Sequence, residues 1–197
     1  MLLTRTFIAY LAKELTSRLE KSSLEVQNST PLRERFEEIL VDELSLEDEI
    51  NTEVRELLNQ YTDYMRTQRI PYQEMFQRVK KQVLSERKMI SAAPRGGNRQ
   101  MKLSRDKVIE FSHKLGAILP RVPGIRMLTP WNDVRLEIVR AMTEILVKEE
   151  QIDKTAQEKI TTQKRDIPEG SEEWTLLYRR YYEEELQRYG IDLSPQP

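Results

Sequence analysis

Chemistry at a protein site needs a nucleophile, a base or a bound metal held in fixed geometry, and few residues in this chain of 197 offer one. The sole histidine is His113, and the sequence has no cysteine. Thiolate chemistry, disulfides and cysteine-held zinc or iron–sulfur groups are therefore excluded. His113 stands opposite Lys13 when the halves of the chain are laid over one another, which points to a surface or boundary position rather than a general base. Carboxylates cluster at Glu47-Asp48-Glu49 and at Glu183-Glu184-Glu185. Adjacent residues on a helix face different directions and cannot chelate together, so both read as solvated faces. Asp166 and Glu169 lie in one turn and converge better, although turn formation accounts for them without a metal. No phosphate loop, nucleophile elbow, dinucleotide fingerprint or His-Glu-x-x-His segment occurs. The expectation is a protein with no catalytic residue, no metal and no cofactor.

Charge and aromatic patterns carry more. Ten basic residues, Arg78, Lys80, Lys81, Arg87, Lys88, Arg95, Arg99, Lys102, Arg105 and Lys107, face only Glu86 and Asp106 over the same stretch. Between Glu34 and Glu56, ten acidic residues face only Arg35 and Arg55, although the whole chain has a net charge of −1. Either the acidic stretch faces the basic one, within the chain or across a dimer, or the basic stretch contacts a phosphate backbone. No aromatic residue is interleaved with the basic residues of the linker, as single-strand binding would favour, so pairing is the preferred reading. Trp174, Tyr178 and Tyr181 recur at helical spacing, the pattern of a face packed into a core. Tyr182 falls off that stripe and is expected to be exposed.

The elements that position these residues are helices. Charged residues make up 33% and hydrophobic residues 38%, enough apolar surface for cores and too much charge for a membrane span. The opening stretch is interrupted by Lys13, Glu14 and Arg18 and reads as an amphipathic helix rather than a targeting peptide. The two halves align at an offset near one hundred residues. Leu3-Thr4-Arg5 matches Leu103-Ser104-Arg105, and Ile8, Leu11, Leu15 and Leu19 match Val108, Phe111, Leu115 and Leu119. Pro31 and Glu38-Ile39 then match Pro130 and Glu137-Ile138, and Arg69-Ile70-Pro71 matches Asp166-Ile167-Pro168.

This punctuation predicts an all-α chain of two tandem related four-helix units, with room for a short strand or hairpin between the first and second helix of each. Thr4 and Ser104 cap the first helices. Thr30-Pro31 and Thr129-Pro130 start the second, Asn51 and Asp153 cap the third, and Ser171 caps the last. Leu24–Val26 and Ile125–Leu128 are the candidate strands. The units span 1–90 and 101–190, with a linker over 91–100 and a flexible tail over 191–197.

In the second half, Lys102-Leu103-Ser104-Arg105, then Asp166-Ile167-Pro168-Glu169-Gly170-Ser171-Glu172-Glu173-Trp174, then Leu177-Tyr178 and Tyr181-Tyr182-Glu183-Glu184-Glu185-Leu186 resemble the bacterial family called domain of unknown function 507. The resemblance covers Met101 to about Gly190, and Ile167-Pro168-Glu169-Gly170-Ser171 is its most specific part. The first half resembles a divergent copy that keeps Leu3-Thr4-Arg5 and Ile70-Pro71 but replaces the Glu-Gly-Ser cap with Tyr72-Gln73-Glu74. The resemblance implies a small helical bacterial protein and brings no activity.

The function expected from the sequence is a non-enzymatic, cytoplasmic helical interaction module, an adaptor or assembly factor. It would bind a protein partner or itself, with no membrane role and no small-molecule substrate. The alternative is a nucleic-acid- or ribosome-associated factor using residues 78–107.

Overall fold

A computed structural model describes residues 3–93, 101–163, 165 and 167–191. Its helices are α1 (Arg5–Ser22), α2 (Thr30–Gln60), α3 (Thr62–Thr67), α4 (Tyr72–Glu86), α5 (Arg105–Ile118), α6 (Trp131–Thr161) and α7 (Glu172–Arg188). Strands β1 (Leu24–Val26) and β2 (Ile125–Met127) follow α1 and α5. The 91–100 linker is described only at Ser91, Ala92 and Ala93, and the 191–197 tail only at Ile191.

The first helix of each half is capped as its sequence dictates. Thr4 Oγ1 accepts from Phe7 N at 3.2 Å, and Ser104 Oγ accepts from Lys107 N at 3.1 Å. Buried residues then recur at three- and four-residue intervals. Phe7, Ile8, Leu11, Ala12, Leu15, Thr16 and Leu19 in α1 stand where Lys107, Val108, Phe111, Ser112, Leu115, Gly116 and Leu119 stand one hundred residues later. The two strands pair with each other rather than forming a hairpin in each half. Their register is antiparallel: Leu24 with Met127, Glu25 with Arg126, and Val26 with Ile125. The ribbon is closed at either end by Gln27 N to Gly124 O at 3.1 Å and Leu128 N to Ser23 O at 2.9 Å. The register and its closing bonds are related by an approximate two-fold axis through the Glu25–Arg126 pair.

The expected third helices are corrected. Asn51 and Asp153 cap nothing, because α2 and α6 each continue unbroken for 31 residues. Neither helix contains an internal glycine or proline after its first turn, and the buried spacing runs through both positions without a change of phase. Leu44, Glu47, Ile50 and Val54 lead past Asn51, and Leu146, Glu149, Ile152 and Ala156 lead past Asp153. The helix starts are corrected as well. Ser29 rather than Thr30 precedes α2, and Pro130 itself occupies the cap position of α6. Burial also resets the register of the long helices. Phe36 stands with Ile138, Leu40 with Met142 and Leu58 with Ile160, an offset of one hundred and two. The Pro31–Pro130 alignment implied an offset three residues shorter.

One core draws on both halves. Phe7, Leu11, Phe36, Leu40, Phe111, Leu115, Ile138 and Met142 belong to it, with Leu24 from β1. These side chains come from α1, α5 and the N-terminal parts of α2 and α6, which together form a body. Beyond the body, each long helix projects into an arm. In the first arm, Ile50, Val54 and Leu58 pack with Met65 of α3 and Leu84 of α4. In the second, Ile152 packs with Leu186 of α7 and Ile191, with Tyr10 of α1 and Tyr182 alongside. Ion pairs also join the halves of the body. Glu43 takes Lys107 at 3.0 Å and Lys114 at 2.5 Å, and Arg18 meets Glu144 at 2.5 Å.

Because the core is shared, a cavity in one half should weaken both. Leu115→Ala should cost about 2–5 kcal/mol, measured by denaturant unfolding, with the loss followed at α1 as well as at α5. Thr4→Ala and Ser104→Ala should each cost about 1 kcal/mol in the same assay.

Candidate functional site

The polar residues that most constrain the molecule lie where body and arms meet. In the first junction, Glu47 of α2 is 4% exposed. Its Oε1 accepts from Lys80 Nζ of α4 at 2.7 Å, and its Oε2 accepts from the backbone N–H of Ala92. Ser91 Oγ lies 3.5 Å from Oε1. The acid thus holds α4 and the segment after it against the body. That segment is tied onward to α5, since Ser104 N donates to Ala92 O and Ser104 Oγ to Ser91 O, both at 2.7 Å.

In the second junction the equivalent acid is Glu149, 1% exposed. Its Oε1 accepts from Lys102 Nζ at 2.5 Å and from Tyr182 Oη at 2.8 Å. Lys102 also donates to Asp153 at 3.0 Å, and Asp153 accepts from Tyr178 Oη and from Gln157 at 2.7 Å. Three rings stack along α7: Trp174 on Tyr178 with centroids 5.1 Å apart, and Tyr178 on Tyr182 at 5.7 Å. Burial raises the Glu149 carboxyl above the ordinary carboxylate range, against the pull of Lys102. Burial works against the charge on Lys102, yet Glu149 and then Asp153 outweigh it and hold its pKa above the usual lysine value. Tyr178 and Tyr182 are pushed far above the ordinary phenol range, first by burial, then by Asp153 and Glu149 respectively.

The two junctions are filled differently at matched positions. Lys80 stands where Tyr182 stands, Phe76 where Tyr178 stands, and Asn51 where Asp153 stands. Phe76 has no hydroxyl to offer, and the Asn51 Oδ1 is buried with no hydrogen-bond partner among the described residues. Glu149 Oε2 and Thr129 Oγ1 share that condition.

The basic residues of the stretch from Arg78 to Lys107 divide between ion pairs and solvent. Lys80, Lys102 and Lys107 turn inward to Glu47, to Glu149 with Asp153, and to Glu43 with Glu110. Arg78 pairs with Glu74 at 2.6 Å, and Arg87 with Glu53 of α2 at 2.5 Å. Lys81, Lys88 and Arg105 are exposed. Arg95 and Arg99 lie outside the described residues. The acidic stretch of α2 therefore faces basic partners within the chain at Glu43, Glu47 and Glu53.

The aromatic expectation is corrected: Trp174, Tyr178 and Tyr181 are half-buried rather than packed into a core. Tyr182 is not the exposed ring: it completes the stack and bonds Glu149, because a straight row on a helix steps by four from Trp174 to Tyr178 to Tyr182. Tyr181 sits one position round, under Lys159 at 5.3 Å, and its hydroxyl accepts from Gln163 at 2.7 Å. The Ile167-Pro168-Glu169-Gly170-Ser171 segment is a structural turn. Ser171 N donates to Pro168 O at 3.1 Å, Gly170 takes φ +83°, and Ser171 Oγ accepts from Trp174 N to cap α7. Pro168 and Glu169 face solvent, and Ile167 is half-buried.

The remaining candidate is a cleft of about 890 Å³ on the outer face of α5. Met89, Ile90, Met101, Leu103 and Ile109 supply its apolar surface, and Arg105, Asp106, Glu110, His113 and Lys114 its polar edge. Ile90 and Ile109 are exposed. His113 faces solvent with its ring 5.7 Å from that of Trp131, which packs over Gly116. Sequence periodicity gave no signal for this cleft, since its walls come from separate segments. Among the described residues no group of three or more acidic or histidine side chains could hold a metal, and no helix is long and apolar enough to cross a membrane.

Lys80→Met should cost about 3–5 kcal/mol by leaving Glu47 buried and poorly paired, and adding Glu47→Gln should recover part of the loss, both read by denaturant unfolding. A tyrosine whose folded pKa is raised contributes stability that is present below its unfolded value and lost as pH rises. Stability should therefore fall above about pH 10. In the same pH series, Tyr182→Phe should make that decline shallower.

None of the curated proteins compared matches this chain. One family model does, described as Protein of unknown function (DUF507), and its match runs over residues 1–191. That match takes in both halves, both arms and the ribbon between them, whereas the sequence resemblance was concentrated in the second half. The chain belongs to the DUF507 family.

Proposed function

We propose that the protein is a non-enzymatic helical interaction module, an adaptor or assembly factor of a bacterial cytoplasm, that receives a protein partner in the cleft on α5. The observation that carries this reading is the apolar surface left uncovered there. Ile90 is 39% exposed, Ile109 43% and the neighbouring Trp131 39%. Lys114 at its edge is already paired with Glu110 and with Glu43, so these groups demand no opposite charge from a ligand. An apolar band edged partly by paired charges suits a protein surface.

We also read the two halves as tandem copies of one ancestral unit. The support is the matched caps at Thr4 and Ser104, the seven buried positions of α1 matched from Lys107 to Leu119, and the matched acids Glu47 and Glu149. A fused pair holds in one chain the two-fold packing that separate copies reach by dimerising.

The nucleic-acid reading rests on Lys81, Lys88 and Arg105, which face solvent with no ion pair to another described residue. Three cations neutralising three phosphates would give a slope of about −2.7 in log affinity against log salt, a weak dependence for a dedicated binder.

A pull-down from the source cells, with wild type and Ile109→Glu and with and without nuclease, separates the readings. The interaction module predicts a protein that survives nuclease and is lost, by tenfold or more, with Ile109→Glu. Partners removed by nuclease and indifferent to Ile109→Glu would contradict it.

A further inference from the structure

The tip of the first arm carries a pattern absent from the sequence of the linker: aromatic rings set among unpaired arginines. Where α2 gives way to α3, Tyr61 and Tyr64 are each 55% exposed, and Tyr72 at the start of α4 is 42% exposed. Tyr61 and Tyr64 stand three residues apart on one helical turn, with Met65 N donating to Tyr61 O at 2.9 Å, so the two rings are neighbours. Tyr72 ends a row of flat groups. Arg55 lies over Phe76 at 5.8 Å, and Phe76 stacks against Tyr72 with centroids 6.3 Å apart. Arg66 and Arg69 are exposed, with no ion pair to another described residue. From Arg55 to Gln73, Leu57 is the one exposed large aliphatic side chain among the described residues.

We propose that the tip of the first arm binds single-stranded RNA, with bases stacking on Tyr61, Tyr64 and Tyr72 and phosphates meeting Arg66 and Arg69. Every base has a face that stacks on an aromatic ring, and arginine adds both charge and a planar group. A protein partner would want an apolar centre, and Leu57 alone does not make one. Arg55, Arg66 and Arg69 stand against Glu56 and Asp63, a net charge of +1 over residues 55–73, so stacking leads the affinity and phosphate contacts add little. The strand must be single, because a duplex covers the faces of its bases. No described residue bonds the hydroxyls of the three tyrosines, and Gln68 is exposed one turn beyond Tyr64. These groups can donate to and accept from a ribose 2′-hydroxyl, which distinguishes RNA from DNA. The surface shares no residue with the cleft on α5 and does not depend on what that cleft receives.

Fluorescence anisotropy of an end-labelled RNA strand of about twelve nucleotides, titrated with the full chain, tests this. The single strand should bind about tenfold or more tighter than the same sequence as a duplex, and severalfold tighter than the matching DNA strand. The slope of log affinity against log salt should be no steeper than about −2.1, from three arginines at about −0.7 each. Tyr64→Ala and Tyr72→Ala should each weaken binding about tenfold, while Tyr64→Phe, which keeps the ring, should retain at least about half the affinity. Arg66→Gln should flatten the salt slope by about 0.7. No measurable binding, equal affinity for strand and duplex, a steeper slope, or indifference to both alanine variants would overturn the proposal. Equal affinity for the DNA strand would overturn the assignment to RNA. A nuclease-resistant protein captured from the source cells and lost with Tyr64→Ala, in the absence of RNA binding, would give the surface to a protein and overturn it as well.

Discussion

A buried glutamate at the middle of each long helix is the constraint on which the arrangement depends. A 31-residue helix is about 46 Å long, more than one small core can cover. Its inner face therefore serves the body at one end and an arm at the other. Glu47 and Glu149 sit at the changeover, where a carboxylate loses its water and must be given donors instead. Those donors come from the elements that have to be held: α4 and the segment after it at Glu47, the segment before α5 and α7 at Glu149. An apolar residue at either position would pack without specifying which helix or segment lies opposite, whereas a charge is satisfied only by the right neighbours.

The same node is solved twice with different chemistry. The first arm uses one lysine and a backbone amide on an otherwise apolar packing of Met65, Val79 and Leu84. The second uses a lysine shared by two acids and two phenols from a stacked row. Matched substitutions run through the body too. Lys107 and Glu43 pair on one side of the approximate axis, and the equivalent positions hold Phe7 and Ile145 in the core. Packing around the axis is preserved while the surfaces diverge.

Much of the local structure was legible because it is encoded locally. Thr4, Ser104 and Ser171 cap helices, and Leu24–Val26 forms a strand, since these depend on a few neighbouring residues. Asn51 and Asp153 misled because cap residues are recognised by type, while helix continuation depends on the apolar phase on both sides. Tyr182 was missed through a choice between i+3 and i+4 from Tyr178, which only a packed partner such as Glu149 decides. The pairing preferred for the basic stretch holds at Lys80, Arg87 and Lys107, which meet Glu47, Glu53 and Glu43, but which acid each takes was not legible, because those acids lie far away in sequence. The junctions could have been found by asking which acids fall on the buried phase of α2 and α6, because Glu47 and Glu149 are both in register with the core.

The central claim is that the molecule is organised as one body with two arms, and does not divide into two halves at the linker. Native-state hydrogen exchange over the whole chain, as a function of denaturant, tests it most directly. The account predicts that α1, α5 and the N-terminal parts of α2 and α6 open together and last, with α4 and α7 opening earlier, each with the far end of its own long helix. Two cooperative units divided between residues 93 and 101, each containing a complete long helix and its own first helix, would contradict it.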